Sequence, residues 1–192
     1  MIEMQRARVV AAALLWLAAA ALAQAQPAAK EYEPKPYQEG KDVVWLPTPQ
    51  AVVNKMLDLA KVTARDTVID LGSGDGRTVI TAAKRGARAL GIEYNPDMVE
   101  YSTRAAAKEG LAGKVRFMKA DLFETDFSNA TVLTMYLLPD INLKLRPKIL
   151  DLKPGTRVVS HAFDMGEWKA DRTATADNKP AFLWIVPAKA AG

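Results

Sequence analysis

The chain has 192 residues, 49% apolar and 25% charged, enough for one globular domain with a sizeable core plus tails. Its formal charge of +4 is small and spread along the chain, so it is weak support for a strongly acidic partner such as nucleic acid. With no cysteine and a single histidine, His161, it excludes disulfides, thiolate nucleophiles, zinc–thiolate sites and multi-histidine metal centres.

At the N-terminus, Arg6 and Arg8 precede the apolar run Val9–Ala23, and small residues at Ala21, Ala23 and Ala25 fit an A-x-A cleavage pattern. The run is short for a transmembrane helix, which needs about 20 residues. Residues 1–25 are therefore expected to be a cleaved export signal, with an uncleaved membrane anchor as the alternative. The expected location is periplasmic or secreted, or else membrane-attached. Residues 26–42 hold three prolines among alternating charges and are expected to be a linker. Residues 43–192 form the domain.

Strand and helix signals alternate from there. The helix before the first strand spans "TPQAVVNKMLDLAKV", with Thr48 as its N-cap and Pro49 in its first turn. Asp66–Leu71 is a short β-branched run, hence a buried strand. Arg77–Gly86 is a helix stopped by glycine, and Ala87–Tyr94 a second strand. Asn95 caps a helix with Pro96 in first position and Gly110 at its end. Lys114–Ala120 and Ala130–Tyr136 are the third and fourth strands. Asp140–Leu150 is helical in part, with Pro147 expected to kink or break it. Gly155–Phe163 is the fifth strand. Asp171–Asp177 and Ala181–Ala188, separated by Asn178-Lys179-Pro180, make a terminal hairpin. Trp168 and Trp184 are expected to be packing residues. Such alternation predicts an α/β fold: a doubly wound, mainly parallel, Rossmann-like sheet with an antiparallel hairpin at one edge.

The chemistry concentrates after the first strand. "VIDLGSGDGR" runs Val68–Arg77, with Asp70 at the strand end and Gly72, Gly74 and Gly76 alternating through the turn. Glycines here let the backbone turn sharply and approach a ligand. Glu93 ends the second strand, where a carboxylate can accept from both ribose hydroxyls of an adenosine ligand. Asp121 follows the third strand, placed to accept from an adenine amine. A dinucleotide site wants G-x-G-x-x-G, whereas this loop reads D-x-G-x-G-x-G. An acid at Asp70 disfavours phosphates and suits an ammonium group. S-adenosylmethionine (SAM) carries an ammonium and a sulfonium and no phosphate, and is the expected cofactor. No metal is expected.

On these residues the chain resembles a class I, seven-strand SAM-dependent methyltransferase over roughly Val43–Pro187. "VWLPTPQAVVNKML", "TMYLLP" and "LKPGTRVVSHAF" resemble, more narrowly, a family of small protein-lysine methyltransferases with archaeal broad-specificity and mitochondrial members. The mitochondrial members modify membrane carrier and ATP synthase subunits. The resemblance implies a lysine acceptor on a protein partner, which the spacing alone does not. It makes Thr48, Asp70, Gly72, Ser73, Gly74, Gly76, Glu93, Tyr94, Asp121 and Leu122 candidates to hold the cofactor. Tyr136 and His161 are the catalytic candidates; the alternative for Tyr136 is a strand-end tyrosine packed on the core, and for His161 a structural role. Trp45, Leu138 and Pro139 are the candidates to contact substrate, and Trp45, Pro47 and Thr48 are expected to form a lid. The alternatives are a methyltransferase for a small molecule or nucleic acid, or a non-catalytic adenosine-binding module.

Overall fold

A computed structural model describes residues 31–40 and 44–189. Residues 1–25, on which the export-signal expectation falls, lie outside that range. Among the described residues no helix is long and apolar enough to cross a membrane.

The described helices are α1 (Gln50–Leu59), α2 (Arg77–Lys84), α3 (Pro96–Lys108) and α4 (Pro139–Leu150). The strands are β1 (Thr67–Leu71), β2 (Arg88–Glu93), β3 (Val115–Lys119), β4 (Val132–Met135), β5 (Arg157–His161), β6 (Arg172–Ala176) and β7 (Lys179–Ile185). They form one sheet in the order β3-β2-β1-β4-β5-β7-β6. The first five are parallel, and β7 runs antiparallel between β5 and β6. This is the expected fold.

The middle of the sheet explains its own sequence. Every residue of β4, and all but the first of β1 and β5, is buried, because helices cover both faces. Val52, Val53, Met56 and Leu57 of α1 pack with Val79, Ala82 and Ala83 of α2 in one core layer. Leu145 and Ile149 of α4 pack with Phe127, Leu133 and Trp184 in the other. Trp184 is fully buried and donates its indole N–H to the Trp168 carbonyl at 2.7 Å, so both tryptophans pack as expected.

Three local expectations are corrected. First, α4 runs unbroken through Pro147. The carbonyl four residues back, whose partner the proline removes, belongs to surface-exposed Leu143. Buried Leu145 and Ile149 hold the helix on either side. Second, the hairpin turn is Asp177-Asn178, with φ of 47° and 57°. Two consecutive left-handed residues make the tight turn that suits strand twist, so Lys179 and Pro180 begin β7 instead of forming the loop. Third, Thr48 does not cap α1: the helix starts at Gln50 after Pro49, and the Thr48 hydroxyl turns to His161. Within the proline-rich stretch, Tyr37 and Gln38 exchange backbone hydrogen bonds with Trp45, both at 2.9 Å.

At the end of the sheet opposite the glycine loop, buried Asp66 joins three elements. It accepts from the Thr63 N–H (2.8 Å) and the Thr131 hydroxyl (2.8 Å), and pairs with Arg157. Burial works to raise its pKa, but these donors outweigh burial and hold the carboxyl below its ordinary value. Asp66→Ala is expected to cost about 3 kcal/mol, because it leaves a half-buried arginine unpaired. Urea unfolding checks this. The contribution is complete above the unfolded pKa of about 4 and is lost as pH falls through the lower folded value.

Candidate active site

The loops at the carboxyl ends of β1, β2 and β4 surround a cavity of about 280 Å³. Of the sequence candidates, Trp45, Thr48, Asp70, Gly72, Ser73, Glu93, Tyr94, Asp121, Leu122, Tyr136 and Leu138 line it. Gly74, Gly76, Pro139 and His161 do not form its wall. Gly76 serves packing: at φ 80°, a Cβ there would lie 2.6 Å from the Phe117 ring and 2.7 Å from Ser102. Gly74 is covered by Trp45, whose indole nitrogen occupies the space a Cβ would need. Pro139 opens α4 and stops β4 from continuing.

Each acid has a defined seat. Asp70 accepts from the Thr134 hydroxyl at 2.6 Å. Burial pushes its carboxyl up to about 7, and the nearby charges of Asp75 and Glu93 add to that, against the pull of the Thr134 and Thr78 hydroxyls. Glu93 accepts from the Gly74 N–H (2.8 Å) through one oxygen and the Asn95 N–H (3.0 Å) through the other. It thereby ties the glycine loop to the start of α3, and each oxygen keeps a second lone pair for a ligand hydroxyl. One Asp121 oxygen accepts from the Phe123 N–H at 2.9 Å.

The cavity's charges select its ligand. Among the described residues that line it are four carboxylates, Asp70, Asp75, Glu93 and Asp121, against one cation, Arg77. Arg77 is already held by Asp75, its Nε 3.0 Å from both carboxylate oxygens. Phosphates meet repulsion here, and a ligand carrying ammonium and sulfonium charges meets attraction. The Ser73 hydroxyl is buried against Gly91 of β2, with no hydrogen-bond partner among the described residues. These residues fit SAM.

At the other end of the cavity, the Tyr136 ring lies 3.9 Å from His161 and stacks on Phe163 at 6.2 Å, centroid to centroid. The Tyr136 hydroxyl makes no hydrogen bond to the described residues. His161 is buried. Its Nδ1 is 3.1 Å from the Thr48 hydroxyl, and its Nε2 has no partner among the described residues. Burial, with the Lys179 charge second, depresses its pKa to about 4, so the imidazole is neutral at physiological pH.

Among the cavity residues that were not sequence candidates are Asp75, Arg77 and Phe163. Arg77 directly follows the last glycine, and that adjacency was the available signal. Phe163 gave none, because only the fold brings the end of β5 beneath Tyr136.

A family model described as the ANTKMT methyltransferase domain matches residues 70–172. A protein-lysine N-methyltransferase of Saccharolobus islandicus (strain REY15A) is 41% identical over 151 residues, covering 75% of this chain and 94% of that protein. A human lysine N-methyltransferase named for an ATP synthase component is 35% identical over 131 residues, 67% of this chain and 56% of its own length. The chain thus spans little more than half of that relative. A crystal structure of an RNA methyltransferase from Salinibacter ruber, in complex with S-adenosyl-L-homocysteine, superposes with a TM-score of 0.74 at 50% identity, covering 76% of this chain and 97% of the other. The acidic, phosphate-averse cavity and these relatives agree, and the chain belongs to the ANTKMT methyltransferase domain family of SAM-dependent methyltransferases.

Proposed function

We propose that the acceptor is the ε-amine of a lysine in a protein. The observation that carries this reading is the acceptor end of the cavity. Tyr136, Leu137, Leu138, Ile141 and Phe163 line it, without an Asp, Asn or basic residue among them. The Saccharolobus and human relatives, both named lysine N-methyltransferases, support it.

SAM, when bound, supplies an electrophilic methyl group. The chain's own residues align and desolvate the amine that attacks it. A free lysine has a pKa of about 10.4 and is charged at neutral pH. An apolar passage disfavours the ammonium form, so the amine enters it neutral and no strong general base is needed. The Tyr136 hydroxyl and the Leu137 carbonyl accept from the amine and aim its lone pair, the Leu138 carbonyl being taken by the Ile141 and Asn142 N–H groups of α4. His161 acts from behind Tyr136 as a positioning residue, because its ring backs the tyrosine without reaching the cavity wall.

A second reading, methylation of RNA, is favoured by the described activity of the Salinibacter structure. Against it stands the cavity's charge: with Arg77 and Asp75 paired, the acids Asp70, Glu93 and Asp121 remain, and they repel a phosphate backbone. Incubation of cell extract with methyl-labelled SAM separates the two. The lysine reading expects label that protease releases and ribonuclease leaves in place; the reverse pattern overturns it.

A further inference from the structure

The strip preceding α1, Val44–Thr48, lies over the glycine loop, and its attachments converge on Thr48. The Thr48 carbonyl accepts from Arg77 Nη1 at 2.9 Å. Its hydroxyl meets His161 Nδ1 at 3.1 Å. Earlier in the strip, the Trp45 indole rests on Gly74. Arg77 is the first residue of α2, and Asp75 grips its guanidinium at Nε and Nη2. One planar group thus joins the loop before α2 to the strip before α1, elements 29 residues apart in sequence. The remaining strip contacts include Trp45 on glycine and the backbone pairing with Tyr37 and Gln38.

We propose that Arg77 is a positioning residue that holds the Val44–Thr48 strip closed over the methyl donor. It acts through the Thr48 carbonyl, and Asp75 sets its orientation. A fork is required because the Asp75 bond and the Thr48 bond leave the guanidinium in different directions. A lysine, one point charge on a flexible stem, satisfies one of the two. This proposal rests on the donor site alone and is independent of which acceptor the enzyme uses.

The test uses the full chain with S-adenosylhomocysteine as the probe, in Arg77→Met, Arg77→Lys and Thr48→Val proteins. Calorimetry is expected to show about tenfold weaker binding for Arg77→Met, the loss of one charge-assisted hydrogen bond. Arg77→Lys is expected to recover only part of it. Thr48→Val retains the carbonyl that Arg77 uses, so the further loss from Arg77→Met should be as large in that background as in wild type. Chymotrypsin should cut after Trp45 faster in Arg77→Met than in wild type, and saturating ligand should narrow that difference. In turnover, the donor KM should rise by a larger factor than kcat falls. Wild-type affinity and wild-type cleavage rates in Arg77→Met overturn the proposal. So does weakened binding that merely tracks a lowered melting temperature while the strip stays protected. Full recovery by Arg77→Lys also overturns it, since a single charge would then suffice.

Discussion

Replacing Asp70 with asparagine weakens S-adenosylhomocysteine binding by about 10- to 100-fold at pH 8 and removes the pH dependence of that binding. Asparagine keeps the size of the side chain and its contact with Thr134 while removing the charge. A buried carboxylate facing a ligand ammonium is worth roughly 1.5–3 kcal/mol, which sets the magnitude. The pH dependence follows from the raised pKa of about 7. The ligand's ammonium group favours the ionised carboxylate, so below pH 7 binding must expel a proton from Asp70. Wild-type affinity should therefore be greatest above about 7 and fall as pH drops, approaching one decade per unit. Calorimetry across about pH 5.5–8.5, in buffers of different ionisation enthalpy, reads both affinity and proton release.

The same group predicts a stability effect of opposite sign. The folded pKa lies above the unfolded value, so ionised Asp70 costs the folded protein stability, increasingly as pH rises toward 7. Asp70→Asn should melt higher than wild type at pH 8 while binding less. A variant that bound with undiminished affinity at every pH would remove Asp70 from the donor site.

Tyr136 carries the second large effect, on the acceptor side. Its hydroxyl makes no hydrogen bond to the described residues, while its ring is fixed between His161 and Phe163. Tyr136→Phe keeps that ring packing and removes only the acceptor oxygen. The expected loss is about tenfold in turnover, one hydrogen bond to the amine. Tyr136→Ala also empties the floor of the passage and should lose about 10²–10³-fold, since misplacement of the attacking atom adds to the loss of the bond. Donor affinity should be near wild type in both, because Tyr136 lies at the acceptor end. Full activity in both variants would make this tyrosine ordinary strand-end packing.

Features that are local along the chain were legible in its sequence. The glycine loop, Glu93 at the end of β2 and Asp121 after β3 announce a nucleoside site because each sits at a strand end, and the parallel sheet brings those ends together. Asn95 reads as a cap because its side chain acts on its own helix, accepting from the Asp97 N–H. Apart from the hairpin turn, the misread positions were decided by packing and partners from elsewhere in the fold. Thr48 resembles a cap, yet His161, 113 residues away, takes its hydroxyl. Pro147 resembles a breaker, yet Leu145 and Ile149, packed into the core on either side, hold α4 through it. Arg77 looked like the start of a helix and became the link between two segments of the site. Its role depends on where the Thr48 carbonyl lands, and no spacing rule reports that.

Whether this enzyme methylates lysine is decided by the chemical identity of its product. Purified enzyme is incubated with methyl-labelled SAM and cell extract, the macromolecules are hydrolysed completely, and the labelled component is identified by mass spectrometry. The expected product is ε-N-methylated lysine, reduced about 10- to 100-fold when Asp70→Asn replaces the wild type at limiting donor. Label recovered in a methylated nucleoside, with none in lysine, would contradict a lysine acceptor.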